Sequence, residues 1–389
     1  MGLRGFFCLP MVAGALCCSC TRDLVVAVSV VQSDGLGDLT RDSGPGDVDQ
    51  DNGPGDPAPV QTYRKLVTIN HSQVSAGPLL DFPVLIALSN DADLKTTAGN
   101  GHVSDTQGRD MFFVSDTGTL LDFETEQYDS ASGSLFAWVR LPSLSSSQDT
   151  LLWLRYGDPC PCTSKANPAG VWGVDDMAVY HLDHDFNDST AHARNGLGSG
   201  APGFAAGTVA HGASFDGTSQ YVDTLYNDFL PLWTVSCWVL GAQDPGNAND
   251  AGPVMREQNY NVGWHHGGDT FRGTTFFATD PVVWWSASFG TLTHGTWYHL
   301  VGTYDGTNLV AYKNGSMVTT TVVGLPAINE TASAKIGRHS TMASWFFAGQ
   351  IDEVRISSTA RSAGFIQTSY NNQATPSTFY TVGLEEIAP

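Results

Sequence analysis

From Tyr63 onward, apolar and polar residues alternate with a period of two, broken by Gly, Pro, Asn and Asp. Side chains on a strand point to opposite faces in turn, so this pattern predicts strands joined by turns. In Trp297–Tyr304 (WYHLVGTY), Trp297, His299, Val301 and Thr303 fall on one face, and Tyr298, Leu300 and Tyr304 on the other. Asp305-Gly306 predicts a hairpin turn because both residues tolerate positive φ, and Tyr312-Lys313-Asn314-Gly315 ends the next strand in a second such turn. The result is an antiparallel meander. Six further runs, Tyr63–Ile69, 82–88, 108–114, 121–128, 135–141 and Thr150–Tyr156, predict a β-sandwich over 62–160. Residues 159–167, rich in Cys, Pro, Ser and Asn, mark a boundary, and a second all-β unit is expected over 170–387, opening at Val171-Trp172 with a strand over 177–182.

The amino-terminal 61 residues do not follow this pattern. Arg4 precedes an apolar run over 6–16 and then small residues and cysteines. Residues 1–20 therefore read as a secretory signal, too short to span a bilayer. Cys17, Cys18 and Cys20 resemble a lipoprotein cleavage site, with Cys20 the preferred lipidated residue and a plain secretory signal the alternative. Residues 21–61 are largely Asp, Gly and Pro with little to bury, and are expected to be a disordered acidic tether. Asp47, Asp49 and Asp51 have calcium-loop spacing, but Asn52 stands where an EF-hand needs Gly and no Glu closes the loop.

The 389-residue chain carries 39 acidic against 18 basic residues, a formal charge of −21, which argues against nucleic-acid binding. Past the signal the cysteines are Cys160, Cys162 and Cys237, an odd set: one of the first two pairs with Cys237, or all stay free. Cys237, inside Thr234-Val235-Ser236-Cys237-Trp238-Val239, reads as a buried strand residue.

The run 297–315 together with Gly349-Gln350-Ile351-Asp352-Glu353-Val354-Arg355-Ile356 resembles the bacterial laminin-G / concanavalin A-like jelly roll. Residues 63–158 are similar to an uncharacterised bacterial envelope domain, through Tyr63-Arg64-Lys65, Phe82-Pro83-Val84, Glu124-x-Glu126-x-Tyr128-Asp129, Ala137-Trp138-Val139 and Tyr156-Gly157-Asp158. Relatives of that domain accompany laminin-G modules and ExbB/MotA-type proton-channel proteins. The resemblance implies an antiparallel β-sandwich followed by a jelly roll. It also implies non-catalytic binding of a glycan or another envelope protein, often with structural calcium. Fold alone does not settle function, since glycoside hydrolases share the jelly roll.

Calcium needs hard oxygens, and Asp188 and Asp352 are its expected carboxylates, whereas Asp183 and Asp185 read as solvated loop residues. Glu124 and Glu126 share a strand face, as a glycosidase pair would. They read instead as a polar outer face paired with Arg64 or Arg109, which leaves a carbohydrate-active enzyme as the alternative function and a structural spacer as the third. His265-His266 are adjacent and read as loop residues; His299 reads as core. Residues 260–289 are rich in aromatics. Trp264, Trp284 and Trp285 are the candidate ligand-binding residues, because consecutive strand tryptophans cannot both enter one core. The protein is expected to be secreted or lipid-anchored at the envelope, touching membrane only through that anchor.

Overall fold

The computed structural model describes residues 61–159, 163–242, 250–267, 270–279, 283–323 and 331–389. The signal, the tether, Cys20, Cys160 and Cys162 lie outside the described residues. Two β-sandwiches are present, as the alternation predicts.

The first sandwich has a sheet of Tyr63–Ile69, Thr150–Tyr156 and Phe112–Ser115, facing a sheet of Leu79–Leu88, Ser134–Leu144 and Phe123–Asp129. Between them lie Val67, Phe82, Val84, Ile86, Phe113, Phe123, Val139 and Leu154, all buried. The strand expected over 108–114 begins only at Phe112. Before it, the Asp110 carboxylate accepts from the backbone N–H groups of Ser104, Asp105 and Gly157, which folds 104–110 into a turn.

The jelly roll pairs a sheet containing Trp233–Gly241, Trp297–Tyr304 and Ala348–Ser357 with a sheet containing Asp250–Arg256, Tyr260–Gly267 and Val283–Leu292. The expected meander is present: Trp297–Tyr304, Asn308–Lys313 and Ser316–Val322 pair in order. Asn314 and Gly315 take φ of 51° and 78°, the left-handed pair that a type I′ turn demands. Leu300 and Tyr304 enter the jelly-roll core, whereas His299 and Val301 face a helix. Cys237 is fully buried, as expected, and is a free thiol.

That helix, Ala363–Ala374, lies between the sandwiches. Ser362 caps its first turn by accepting from Phe365 N. Its buried face includes Thr368, Ser369, Asn372 and Gln373. The Asn372 amide pairs with both the N–H and the carbonyl of Leu85, at 2.7 and 3.0 Å, and so satisfies an open strand edge. Gln373 accepts from the Trp238 indole at 2.7 Å on the jelly-roll side.

Beyond the helix the chain re-enters the first sandwich. Tyr380–Val382 and Glu386–Ile387 both pair with Tyr63–Ile69. Phe379 and Tyr380 fill the first core, and the Tyr380 hydroxyl bonds both polar groups of the Ala87 backbone. The expected boundary at 387 therefore gives way to an interleaved arrangement: residues 380–387 complete the first sheet, so the jelly roll is inserted into the first sandwich.

Candidate functional site

Where the sandwiches meet, the strand Phe123–Asp129 carries one extra residue relative to its partner, between Thr125 and Gln127. Such a bulge redirects side chains. Phe123 and Tyr128, five positions apart, can thus both reach the first core, while Glu124 and Glu126 turn toward the jelly roll. From that side come His181, which follows the core residue Tyr180, and Glu353, held at φ 52° where the strand Ala348–Ser357 bulges against its neighbour.

These groups close around the imidazole. His181 Nδ1 lies 2.6 Å from Glu353 Oε1 and 3.5 Å from Glu126 Oε2, and Nε2 lies 3.2 Å from Glu124 Oε2. The Trp138 and Trp172 indoles donate to Glu126 and Glu124 at 2.8 and 3.0 Å, and Ser189 donates to Glu124 at 2.6 Å. Arg355 bonds Glu353 at 2.7 Å and lies over both indole rings, 4.2 and 4.7 Å from their centroids.

Burial opposes charge on every member of this cluster, and pairing decides which keep it. For His181, burial would lower the pKa, but Glu353, Glu124 and Glu126 together raise it well above the usual histidine value. Burial would raise Glu353 and Glu124; His181 with Arg355 holds the first low, and His181 with its hydrogen-bond donors the second. Glu126 is pushed up to about 8, by burial and by the neighbouring Glu353 against the pull of His181. Asp352 rises well above the carboxylate range, by burial and then by Glu353 and Glu126. The imidazole is thus pushed toward its charged form by the carboxylates around it, and Glu126 toward its neutral form.

The expected pairing of Glu124 and Glu126 with Arg64 or Arg109 on an outer face is corrected. Arg64 pairs with Glu386 and Arg109 with Asp105, and the jelly roll covers the strand face that sequence alone leaves open. His181 was not legible as a site residue, although it alternates with the apolar Tyr180 and Leu182. Asp183, expected to be solvated, is buried and bonds His211 at 2.8 Å. His265 and His266 lie on the strand Tyr260–Gly267, not in a loop. His299 is core, its pKa lowered to about 3 by burial and by Arg355.

The two aspartates expected to hold calcium lie apart in role. Asp188 is buried, and its carboxylate accepts from Val179 N, Thr190 N, Thr190 Oγ1 and Arg194 N, all at 2.9–3.0 Å. Asp352 Oδ2 accepts from the Thr208 and Val209 N–H groups at 2.8 and 2.9 Å. Neither belongs to the three groups of His and carboxylate ligand atoms that converge among the described residues. Asp188→Ala is expected to cost about 3 kcal/mol, because buried donors left without an acceptor cost about 1–3 kcal/mol each; urea unfolding would measure it.

The candidate ligand-binding tryptophans separate. Trp264 lies on the strand Tyr260–Gly267, paired with Gly273 and Ala251. On Val283–Leu292, Trp285 packs against the core while Trp284 is 48 % exposed. This strand is outermost in its sheet among the described residues, as is Ser316–Val322 in the facing sheet. The Thr321 hydroxyl donates to the Ser286 carbonyl at 2.7 Å, so the two edges adjoin. Val283, Trp284, Met317, Val318 and Val322 are exposed along them.

Residues 216–367 match the Concanavalin A-like lectin/glucanases superfamily, and residues 107–195 match a domain of unknown function, DUF2341. No curated protein matches the chain. Among solved structures, domain 4 of AbnA, a GH43 extracellular arabinanase from Geobacillus stearothermophilus, in complex with arabinotriose, is 21 % identical with a TM-score of 0.41; the match covers 51 % of this chain and 98 % of that one. The binding domain of Paraclostridial Mosquitocidal Protein 1 is 10 % identical with a TM-score of 0.42, over 50 % of this chain and 52 % of that one. The botulinum neurotoxin serotype G binding domain is 14 % identical with a TM-score of 0.40, the match covering 50 % of this chain and 50 % of that one. Two family models thus match in succession, DUF2341 over 107–195 and the concanavalin A-like superfamily over 216–367.

Proposed function

We propose that this protein is a non-catalytic binding protein of the bacterial cell envelope, taking a glycan on the open jelly-roll edge around Trp284. The observation that carries this reading is the exposed indole of Trp284 beside the core-packed Trp285. Burying a large apolar side chain is worth about 1.5–3 kcal/mol, and an indole that stays 48 % exposed forgoes part of that gain. Sugars offer C–H faces that stack on such rings. A protein partner is the second reading, favoured by the aliphatic side chains of Met317, Val318 and Val322 on the adjoining edge.

The junction carboxylates support a structural part for that cluster. A glycosidase acid and its partner must flank a bond, at roughly 5–9.5 Å separation and open to substrate. Here Glu124, Glu126 and Glu353 close on a buried His181 and on two indoles. Lipidation at Cys20 and the acidic tether would hold the sandwiches away from a membrane surface. A glycan array probed with the full chain tests the reading. Retention of one saccharide class supports it; no retention across cell-wall and matrix glycans favours the protein partner.

A further inference from the structure

A second cluster lies beside the junction, on its solvent side. Asp183 is buried, His184 is largely exposed and His211 half-buried, and their ligand atoms all lie within 4.8 Å of one another. His211 Nδ1 is 2.8 Å from Asp183 Oδ1, and His184 Nε2 is 3.7 Å from Asp183 Oδ2. The two rings stand 4.6 Å apart between centroids. From the first sandwich, the Gln127 side-chain amide reaches His211 Nδ1 at 3.3 Å.

One ring nitrogen carries either one proton or one lone pair. His211 Nδ1 nonetheless faces a carboxylate oxygen and an amide together. With the amide N–H turned toward it, Nδ1 can satisfy only one of the two; with the amide carbonyl turned toward it, a single N–H is shared between two acceptors. The amide's oxygen and nitrogen are interchangeable in placement, so Gln127 can equally present its carbonyl. A cation at the centre would satisfy the nitrogen, the carboxylate and the carbonyl at once. Zinc takes nitrogen at about 2.0–2.1 Å and oxygen at about 2.0–2.2 Å, which places tetrahedral ligand atoms roughly 3.4 Å apart. The two histidine nitrogens meet different oxygens of the carboxylate, at 2.8 and 3.7 Å, on either side of that value. Phe204 packs edge-on to His184 and stacks on Phe186, an apolar wall behind the ligands.

We propose that Asp183, His184 and His211 bind a divalent transition cation of the zinc class, with the Gln127 carbonyl as fourth ligand. Imidazole donors select such a metal over calcium, which prefers oxygen alone. The ion would clip the first sandwich, through Gln127, to the jelly roll.

The test is zinc titration of the metal-stripped full chain by calorimetry, beside His184→Ala and His211→Ala. His184 is exposed, so its removal should leave the metal-free melting curve unchanged, and that curve is measured as the folding control. Wild type should bind one more equivalent than either variant, or bind it at least about tenfold more tightly, the loss that removing even an outer partner brings. Cobalt substituted for zinc should give visible d–d bands without thiolate charge transfer, which separates this site from the cysteines. Equal stoichiometry and affinity in wild type and both variants would overturn the proposal, as would a wild type that binds no zinc.

Discussion

A chain ending at Thr375 should lose its first sandwich while keeping a folded jelly roll. The missing segment carries Phe379 and Tyr380, both buried in the first core, and two strands that pair with Tyr63–Ile69. Replacing one buried Phe by Ala costs about 3–5 kcal/mol, and two such aromatics go at once. The Tyr380 hydroxyl also leaves the Ala87 N–H and carbonyl without their partner, at about 1–3 kcal/mol per stranded group. The sum matches or exceeds the whole stability of an ordinary domain, about 5–15 kcal/mol. Differential scanning calorimetry should show one cooperative transition lost; a melting profile like that of the full chain would show that the returning strands are dispensable.

The second large effect lies at the junction. Glu353→Gln should destabilise the protein by about 3–5 kcal/mol, the cost of breaking a buried ion pair by removing one partner. The variant takes from His181 its nearest carboxylate, at 2.6 Å, and from Arg355 the carboxylate it bonds at 2.7 Å. Glu126→Gln, one carboxylate away, should cost far less. Its carboxyl is pushed up to about 8 and is mostly protonated at neutral pH, so an amide of the same shape changes little charge. Urea midpoints at pH 7 would separate the two. Equal costs would mean that the charges are not distributed as the geometry implies.

Much of the fold is legible in the alternation of apolar residues, because side chains on a strand point to opposite faces in turn and one face enters a core. The Asn314-Gly315 turn, the burial of Cys237 and the split between Trp284 and Trp285 follow from that local rule. The helix Ala363–Ala374 was not legible, since Thr368, Ser369, Asn372 and Gln373 form much of its buried face and leave no apolar stripe. The return of 380–387 to the first sheet is a pairing across more than 300 residues, which no local pattern encodes. The junction was hidden for the same reason: His181 meets Glu124 and Glu353 across 57 and 172 positions. The bulge at Glu126 did leave a trace, since Phe123 and Tyr128 stand an odd number of positions apart and yet share one core.

Tryptophan fluorescence titration of wild type against Trp284→Ala with cell-wall polysaccharides tests most directly the proposal that the jelly-roll edge binds through Trp284. Wild type should show a saturable change, and Trp284→Ala should bind more weakly by at least about 1 kcal/mol, a typical aromatic-contact contribution, with its melting temperature nearly unchanged. Equal binding by the two proteins would contradict the claim.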